Sequence, residues 1–567
     1  MNRTCLQCRQ VFEITKDDLS FYEKVSPVFN GKKELIPPPT LCPDCRTRQR
    51  FAWRNDRQLY HRKCDLTGKQ IISIYAPERP WKVYEQSEWW GDRWDAKDFA
   101  QDFNFSLPFF EQFSTLLRNV PIPSRHVEQS ENSEYGNFNW AVKNCYLLFA
   151  SDNCEECYYS HMLFECTGCA DCSFCKECSY CYQLLDSEKC YRCFYSQDLT
   201  QCSTVDFSFD CKNCRNCFGC AGLRNKEYHL FNEPLSKSAF EKRLKELTLT
   251  ESAIAMAGTQ AQELRKMHPR VFAHLLHCED CTGDNLLQCK DCRHCFDGKL
   301  AQDCAYSQNI PTDAKDCHDQ YGVGRGAELD YQGFCIAGQR TLFSFLIYPS
   351  GNNVLYSGCC GNCEDIFGCI GLKRQRFCIL NKQYTKEEYE QMIPRIIEHM
   401  RKTPLRSFDG SFAGQEWGEF FPMDDSPFSY NETLAQEYFP RPKKEAIEEG
   451  LSWRDDQEQQ NYLGPAVEIP ETIHDTDDSI CSKILRCDVT GKPYKIIPQE
   501  LKFYRQMGIP IPRKCPDQRH KERLALRNPR KLWDRKCAKC QKQIATSYSP
   551  ERQEIVYCEA CYLASVY

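Results

Sequence analysis

The sequence predicts a mostly β protein in which duplicated zinc ribbons at both ends flank two short-rung β-solenoids, each closed by a helix. Three observations lead to this prediction. The two ends of the chain repeat one another, cysteines in the middle recur at every third position, and a second, less regular cysteine repeat follows. The chain has 567 residues, 41 of them cysteine, and this length allows several domains.

The composition narrows the class of protein. Mean hydropathy is −0.63, and we find no apolar run of the length that a transmembrane helix needs, so we expect no membrane association. The opening MNRTCLQCRQ has no apolar core of a secretory signal. We therefore expect a reducing, cytoplasmic setting, where dense cysteine indicates metal ligands or packed thiols more often than disulfides.

The two ends of the chain are duplicates of one another. Residues 42–64 read CPDCRTRQRFAWRNDRQLYHRKC, and residues 515–537 read CPDQRHKERLALRNPRKLWDRKC. The match continues where 69–79 (KQIISIYAPER) aligns with 542–552 (KQIATSYSPER). Each end therefore contains a tandem of two small units.

Two of these four units carry a complete set of zinc ligands. Two CxxC turns separated by a β-rich stretch are typical of a four-cysteine zinc ribbon, in which closed coordination leaves no open position for catalysis. We expect about two structural zinc ions, at Cys5, Cys8, Cys42 and Cys45 and at Cys537, Cys540, Cys558 and Cys561.

The other two units have lost ligands. One has Cys64 and Thr67 followed by Glu85 and Glu88, and the other has Cys487 with Thr490, and Cys515 with Gln518. We expect these units to persist by packing on their partners.

The next element is a repeat of twelve residues. Between Cys145 and Leu223, every third residue is Cys, Leu, Ser or Val, and all sixteen cysteines of the stretch share that register. This period predicts a thin β-solenoid with inward cysteines acting as small, reduced, packed side chains. An alternative is metal binding by CxxC pairs on adjacent rungs, for example Cys154, Cys157, Cys166 and Cys169. An iron–sulfur site is disfavoured because the motif lacks the x3 step and the Cys-Pro.

A second, degenerate solenoid follows. FGCAGLRNKEYHLFN (218–232) recurs as FGCIGLKRQRFCILN (367–381), and shifts in cysteine register predict insertions at the corners. Just ahead of it, a CxxC-x7-CxxC pattern is a possible zinc site, formed by Cys278, Cys281, Cys289 and Cys292.

Helices and a linker complete the chain. We expect a helix from Ser236 to about Arg265, and a second from the capping box at Thr385 to Arg401, with Pro394 inside it. Residues 404–480 are acidic and rich in proline, which favours a linker, but their aromatic residues could instead be anchors strapped across the solenoid. The predicted boundaries are 1–63 for the first zinc ribbon, 64–130 for a degenerate ribbon and linker, 131–235 for the first solenoid, 236–277 for a helical linker, 278–384 for the second solenoid, 385–403 for its capping helix, 404–480 for the acidic linker, 481–536 for a degenerate ribbon and 537–567 for the last zinc ribbon.

Both end repeats are strongly basic. Seven Arg or Lys lie between residues 46 and 63, and ten lie between 513 and 536, with aromatic residues among them. This pattern suggests contact with RNA, DNA or the ribosome. The candidate contact residues are Arg46, Arg48, Trp53, Arg54, Arg57, Arg527, Arg530, Lys531 and Trp533. The first solenoid is acidic, with eleven carboxylates against five cations between residues 145 and 223, so it could bind a basic partner or the chain's own basic ends.

No catalytic motif emerges from the sequence. The glycines of YGVGRGAE (321–328) lack the Lys-Ser/Thr of a phosphate-binding loop, so we interpret them as a solenoid corner. The run Cys317-His318-Asp319 contains catalytic residue types, but adjacent residues do not readily point at one another.

In chain order, the motifs are CLQC, CPDCR, RKCDLTGK, the cysteine rungs closing in NCFGC-x-GLRNK, and RNPRKLWDRKC. Their order resembles that of an uncharacterised bacterial family of zinc-ribbon-flanked, cysteine-repeat proteins known mainly from reduced-genome lineages. The resemblance covers essentially the whole chain. The resemblance implies zinc binding and a cytoplasmic location, and no established activity. We therefore expect a non-enzymatic zinc-binding scaffold that docks on nucleic acid or the ribosome. The alternatives are a metal-buffering or thiol-redox protein and a pure protein-interaction scaffold.

Overall fold

The computed structural model describes residues 1–247, 250–406, 412–455 and 467–566. The protein is strand-rich, with a curled parallel sheet and a group of four cysteines near each end of the chain. Within these ranges, no helix has both the length and the apolar character needed to cross a membrane.

The first repeat segment, residues 131–235, is built from short parallel strands. Most of these strands pair in parallel at an offset of twelve residues, as where His161 pairs with Ser173 and Ser173 with Leu185. The last strand, Glu233–Pro234, is antiparallel to Glu227–Leu230. The strands are Gly136–Asn137, Asn139–Trp140, Leu148–Phe149, His161–Phe164, Ser173–Lys176, Leu185–Glu188, Ser203–Asp206, Arg215–Phe218, Glu227–Leu230 and Glu233–Pro234. The offset equals the repeat length in the sequence.

Backbone conformation explains the period of three. Asn153, Glu156 and Tyr159 all have φ near +53°, so one residue in three is left-handed between pairs of extended residues. The chain turns at each such residue and sends the next side chain inward. Asn, Asp and Gly tolerate this conformation best, and they often precede the inward cysteine in this sequence.

The inward side chains form a core of thiols. Cys157, Cys166 and Cys169 are fully buried, and the Sγ of Cys169 donates at 3.5 Å to the carbonyl oxygens of both Thr167 and Cys178. None of the 41 cysteines, all of which lie within the described ranges, forms a disulfide. Packed, reduced cysteine was the leading interpretation of this register, and the burial of the thiols agrees with it.

The second repeat segment, residues 278–384, has the same parallel pairing with less regular spacing. Gly283 pairs with Cys295 at an offset of twelve, whereas His318 pairs with Tyr331 at an offset of thirteen. The change of offset is what the predicted insertions require. The strands of this segment and its lead-in are Arg270–Val271, Leu275–Leu276, Gly283–Leu287, Cys295–Lys299, Ala301–Gln302, Gln308–Ile310, Ala314–Lys315, His318–Tyr321, Ala327–Glu328, Tyr331–Leu355, Cys363–Phe367, Arg376–Ile379 and Lys382–Gln383.

Helices follow both repeat segments. The first predicted helix is two helices, Lys237–Leu247 and Glu251–Met267, and residues 248–249 lie outside the described ranges. The second helix, Lys386–Lys402, begins with the predicted capping box and contains the predicted proline. Helix Lys237–Leu247 packs apolar side chains against the last strands of the first repeat segment, and helix Lys386–Lys402 does so on the second, which covers the end of each sheet.

The end units are small and mixed in structure. The N-terminal elements are strands Asn2–Thr4, Val11–Glu13, Val28–Phe29, Lys32–Lys33, Tyr60–Lys63, Gln70–Ser73, Val83–Tyr84, Ile122–Pro123 and Val127–Glu128, and helices Lys16–Val25, Pro43–Phe51, Gln86–Trp90, Ala96–Phe99 and Phe109–Asn119. The C-terminal elements are strands Leu485–Arg486, Pro493–Tyr494, Trp533–Lys536, Gln543–Thr546 and Val556–Tyr557, and helices Asp478–Ser482, Pro498–Met507, Pro516–Ala525 and Glu559–Val566.

The described part of residues 404–480 includes a buried strap. Trp417, Phe420 and Phe421 are at most 1% exposed, and Phe421 lies 5.3 Å from the ring of Trp53. The aromatic residues therefore anchor the segment, which was one of its two interpretations. Residues 407–411 and 456–466 of the predicted linker lie outside the described ranges. Its elements are strands Pro404–Arg406 and Phe412–Gln415, and helices Met423–Asp425, Tyr430–Glu432, Leu434–Tyr438 and Lys443–Glu448.

Candidate metal sites and arginine clamps

The N-terminal four-cysteine group is formed by a turn and a helix. Cys5 and Cys8 follow strand Asn2–Thr4, and Cys42 and Cys45 lie at the start of helix Pro43–Phe51. Their four sulfurs lie within 4.8 Å of one another.

The C-terminal group has the same plan. Cys537 and Cys540 follow strand Trp533–Lys536, and Cys558 and Cys561 lie at the start of helix Glu559–Val566. These four sulfurs also lie within 4.8 Å of one another.

Sulfur spacing in both groups fits a tetrahedral ion. Cys8 Sγ lies 3.6 Å from Cys42 Sγ, and Cys540 Sγ lies 3.6 Å from Cys558 Sγ. Metal–sulfur bonds of about 2.3 Å would place tetrahedral ligands about 3.8 Å apart, whereas a disulfide needs about 2.05 Å. Both groups are therefore arranged as ligand sets that could hold a metal ion.

One cysteine of each group favours the thiolate, whereas hydrogen bonds with Cys42 and Cys5 raise the pKa of Cys45, and burial raises that of Cys561. Hydrogen bonds with Cys42 and Cys45 lower the pKa of the Cys5 thiol far below its usual range. Burial opposes ionisation of Cys537, but backbone hydrogen bonds from Cys540 and Cys558 lower its pKa to about 6. A thiolate is the form that binds metal.

The other two units have no such group. Cys64 accepts a hydrogen bond from the backbone N–H of Glu85 at 3.3 Å, and Thr490 Oγ1 lies 3.8 Å from Cys515 Sγ. Hydrogen bonds thus occupy positions where the complete units have ligands.

The possible zinc site in the second repeat segment is not brought together. Among the described residues, only the two terminal groups place at least three candidate ligand atoms within 4.8 Å of one another. Cys278 and Cys281 instead lie one rung before Cys289 and Cys292, because Leu275 pairs with Leu286. The CxxC pairs of the first repeat segment, all within the described residues, do not form such a group of ligand atoms either.

A second pattern in the end units concerns arginine. Arg46 and Arg50 lie one turn apart on helix Pro43–Phe51, and both contact the carboxylate of Asp319 in the second repeat segment, at 2.9 and 3.3 Å. The side chain of Asp319 has no exposed area. We call this contact the N-terminal arginine clamp.

The C-terminal repeat makes the equivalent contact on the other segment. Arg519 and Arg523, on helix Pro516–Ala525, contact the two oxygens of Asp171 at 2.5 and 2.8 Å. Asp171 is likewise fully buried. This C-terminal arginine clamp joins the end unit formed by residues 481–536 to the first repeat segment, as the N-terminal clamp joins the first end unit to the second segment.

The next arginine in each repeat lies between the two segments. Arg527 contacts Asp186 of the first segment at 2.9 Å and Asp297 of the second at 2.5 Å. Despite burial, Arg527 and Arg530 hold the pKa of Asp297 below its usual range. Its equivalent, Arg54, lies 4.0 Å from the Phe138 ring and donates to the Sγ of Cys335 at 2.5 Å.

These contacts involve residues of the predicted nucleic-acid surface. Most of the candidate contact residues are buried rather than exposed, because they make the ion pairs and ring contacts that hold the chain together. Exposed fractions are 1% for Arg46, 4% for Arg48, 2% for Trp53 and 3% for Arg54, and the side chains of Arg57, Arg527 and Arg530 are 13%, 7% and 7% exposed. Lys531 keeps half of its side chain exposed, and Trp533 is half-buried.

The acidic segment could bind a basic partner or the chain's own basic ends; two of its carboxylates, Asp171 and Asp186, pair with arginines of the C-terminal end. Sequence reasoning did not single out Asp171 or Asp297, and it considered Asp319 only as a catalytic type. The available signal was the spacing of arginines four residues apart, repeated at both ends.

Comparison with known proteins adds no family assignment: no family model and no curated protein matches the chain.

Proposed function

We propose that the protein is a non-enzymatic scaffold in which two zinc-stabilised ends clamp two β-solenoids side by side. The observation that carries this proposal is the paired arrangement of the arginine clamps. Equivalent arginines of the two end repeats grip equivalent buried aspartates of the two repeat segments. Such contacts serve assembly, since they leave these charged groups no access to a substrate.

The metal in this proposal is zinc. Four thiolates with no open position suit a structural zinc ion, and small units with little apolar core depend on one for folding. Two units with four ligands give about two ions per chain.

The solenoid in this proposal follows from the register. A repeated parallel offset of about twelve residues, with a left-handed residue at each corner, is what a chain winding in coils of that length would have. The thin interior would then be filled by thiols and other small side chains.

Burial argues against the thiol-redox alternative. A redox or metal-buffering role requires accessible thiolates, whereas Cys157, Cys166 and Cys169 have no exposed area. The burial of the basic residues likewise gives no support to nucleic-acid docking through them.

The test is metal content by elemental analysis on protein purified anaerobically. We expect about two zinc ions in the wild type, one in Cys540→Ser, and two in Cys64→Ser, which is the matched control from a unit without a ligand set. Equal metal loss from both variants, or no metal in the wild type, would contradict the proposal.

A further inference from the structure

A cleft separates the two repeat segments. It has a volume of about 800 Å³, and its walls come from both segments and from the N-terminal end unit. This volume is in the range of sites that enclose ligands. Its lining includes Glu128, Trp140, Asp152, Phe164, Arg325 and Tyr348.

One wall of the cleft presents a carboxylate between two aromatic rings. Trp140, Asp152 and Phe164 occupy the same position on three successive rungs, and each pairs in parallel with the next. Across the cleft lie Tyr348 and the loop that carries Arg325. Aromatic faces beside carboxylates attract cations.

A cation from the chain itself already lies in this site. The guanidinium of Arg325 is 5.7 Å from the centre of the Trp140 ring and 5.2 Å from that of Tyr348, and it donates a hydrogen bond to the Tyr348 hydroxyl. A planar guanidinium can stack on two rings and still donate in its own plane, which an ammonium cannot do.

The carboxylates at this site respond to Arg325. Burial raises the pKa of Asp152 to about 6, and the attraction of Arg325 opposes that shift. Burial also raises the pKa of Glu128, and the attraction of Arg325 and a hydrogen bond with Tyr348 oppose this shift. Both carboxylates are therefore short of compensating positive charge.

The loop presents Arg325 without burying it. Arg325 is exposed and left-handed, at φ 58°, and its backbone N–H donates to Thr312 Oγ1 at 2.6 Å. A Cβ at Gly324 would lie 2.4 Å from that same oxygen, so only glycine fits there. The glycine-rich loop thus holds an exposed arginine at the mouth of the cleft.

We propose that Glu128, Trp140, Asp152 and Tyr348 form a binding site for an arginine side chain of a protein partner, and that Arg325 occupies this site as an internal competitor. Partner binding displaces Arg325 toward solvent, and the rest of the partner's segment lies along the cleft. The partner is a segment with an arginine among small residues, because the loop that now fills the site has that composition.

The test uses a fluorescein-labelled peptide, Gly-Val-Gly-Arg-Gly, which copies the loop. If Arg325 fills the site nine-tenths of the time, Arg325→Ala will bind the peptide about tenfold more tightly than the wild type. The matched control is Arg340→Ala, an exposed arginine of the same segment with the same left-handed backbone, and it will bind as the wild type does.

Two further measurements establish the chemistry. A peptide with citrulline in place of arginine keeps the shape and loses the charge, and it should bind Arg325→Ala at least tenfold more weakly. Adding Asp152→Asn should weaken binding of the arginine peptide similarly, with the circular dichroism spectrum unchanged. Anisotropy that shows no binding to Arg325→Ala, or equal binding of the two peptides, would overturn the proposal.

Discussion

Removing the charge of Asp171 is the most direct test of the C-terminal arginine clamp. The substitution Asp171→Asn keeps the shape of the side chain and suits the left-handed backbone at this position, φ 53°. It leaves two guanidinium groups, Arg519 and Arg523, buried without their shared counter-ion.

The expected cost follows from the contact geometry. At an effective dielectric constant of about 20, opposite charges about 4 Å apart attract by roughly 4 kcal/mol, and Asp171 makes two such contacts. Removal of one partner from a buried ion pair typically costs about 3–5 kcal/mol. Because the amide oxygen can still accept a hydrogen bond, we expect a loss of about 3 kcal/mol for Asp171→Asn.

Hydrogen exchange measured by mass spectrometry detects this loss of stability in individual segments. A local measurement is needed because the chain is too large for two-state unfolding. A loss of about 3 kcal/mol corresponds to roughly hundredfold faster exchange in helix Pro516–Ala525. Exchange in helix Pro43–Phe51 should be unchanged in Asp171→Asn. Asp319→Asn should instead speed exchange in helix Pro43–Phe51 and leave that in helix Pro516–Ala525 unchanged.

The control is Glu156→Gln, an exposed acid of the same repeat segment with the same φ of 53°. We expect it to change exchange by no more than a few-fold, as surface substitutions usually do. Exchange in Asp171→Asn no faster than in Glu156→Gln would refute the clamp as a stabilising contact.

Three further outcomes are expected. Thiol labelling without denaturant should be slow at the buried cysteines of the first repeat segment and fast at the exposed Cys8 in metal-free protein, so rapid native labelling of the segment would contradict the packed core. Cys178→Leu should overfill that core and lower the free energy of local opening in the first repeat segment by roughly 1–3 kcal/mol, measured by hydrogen exchange, whereas unchanged exchange would indicate a looser interior. Burial opposes the ionisation of Asp56, but Arg54 and His161 lower its pKa to about 2 from 3.8. This shift stabilises the folded protein by about 2 kcal/mol above pH 4, and the stabilisation is lost as the pH falls toward 2. Asp56→Asn should therefore flatten the acid dependence of unfolding over that interval relative to wild type, and identical curves would exclude this contribution.

Several features follow from local sequence alone. The CxxC pairs lie on turns next to a strand and at the start of a helix, so their spacing predicted which four sulfurs meet at each end. The period of three in the first repeat segment predicted which cysteines are buried, because one corner residue in three sets the direction of every inward side chain. The capping box at Thr385 and Glu388 likewise predicted the start of its helix.

Long-range pairing decided the rest. The sequence showed two basic ends and an acidic middle, but it does not distinguish an exposed arginine from a buried one. Only the tertiary structure brings Arg519 to Asp171, which are 348 residues apart in the chain. The Cys278 group has acceptable ligand spacing, yet parallel pairing spreads its cysteines over two rungs. Local patterns therefore determined the turns, the inward faces and the ligand sets of this protein. Which charges are buried against one another was decided by the packing of segments far apart in the chain, because a buried ion pair depends on where both partners lie.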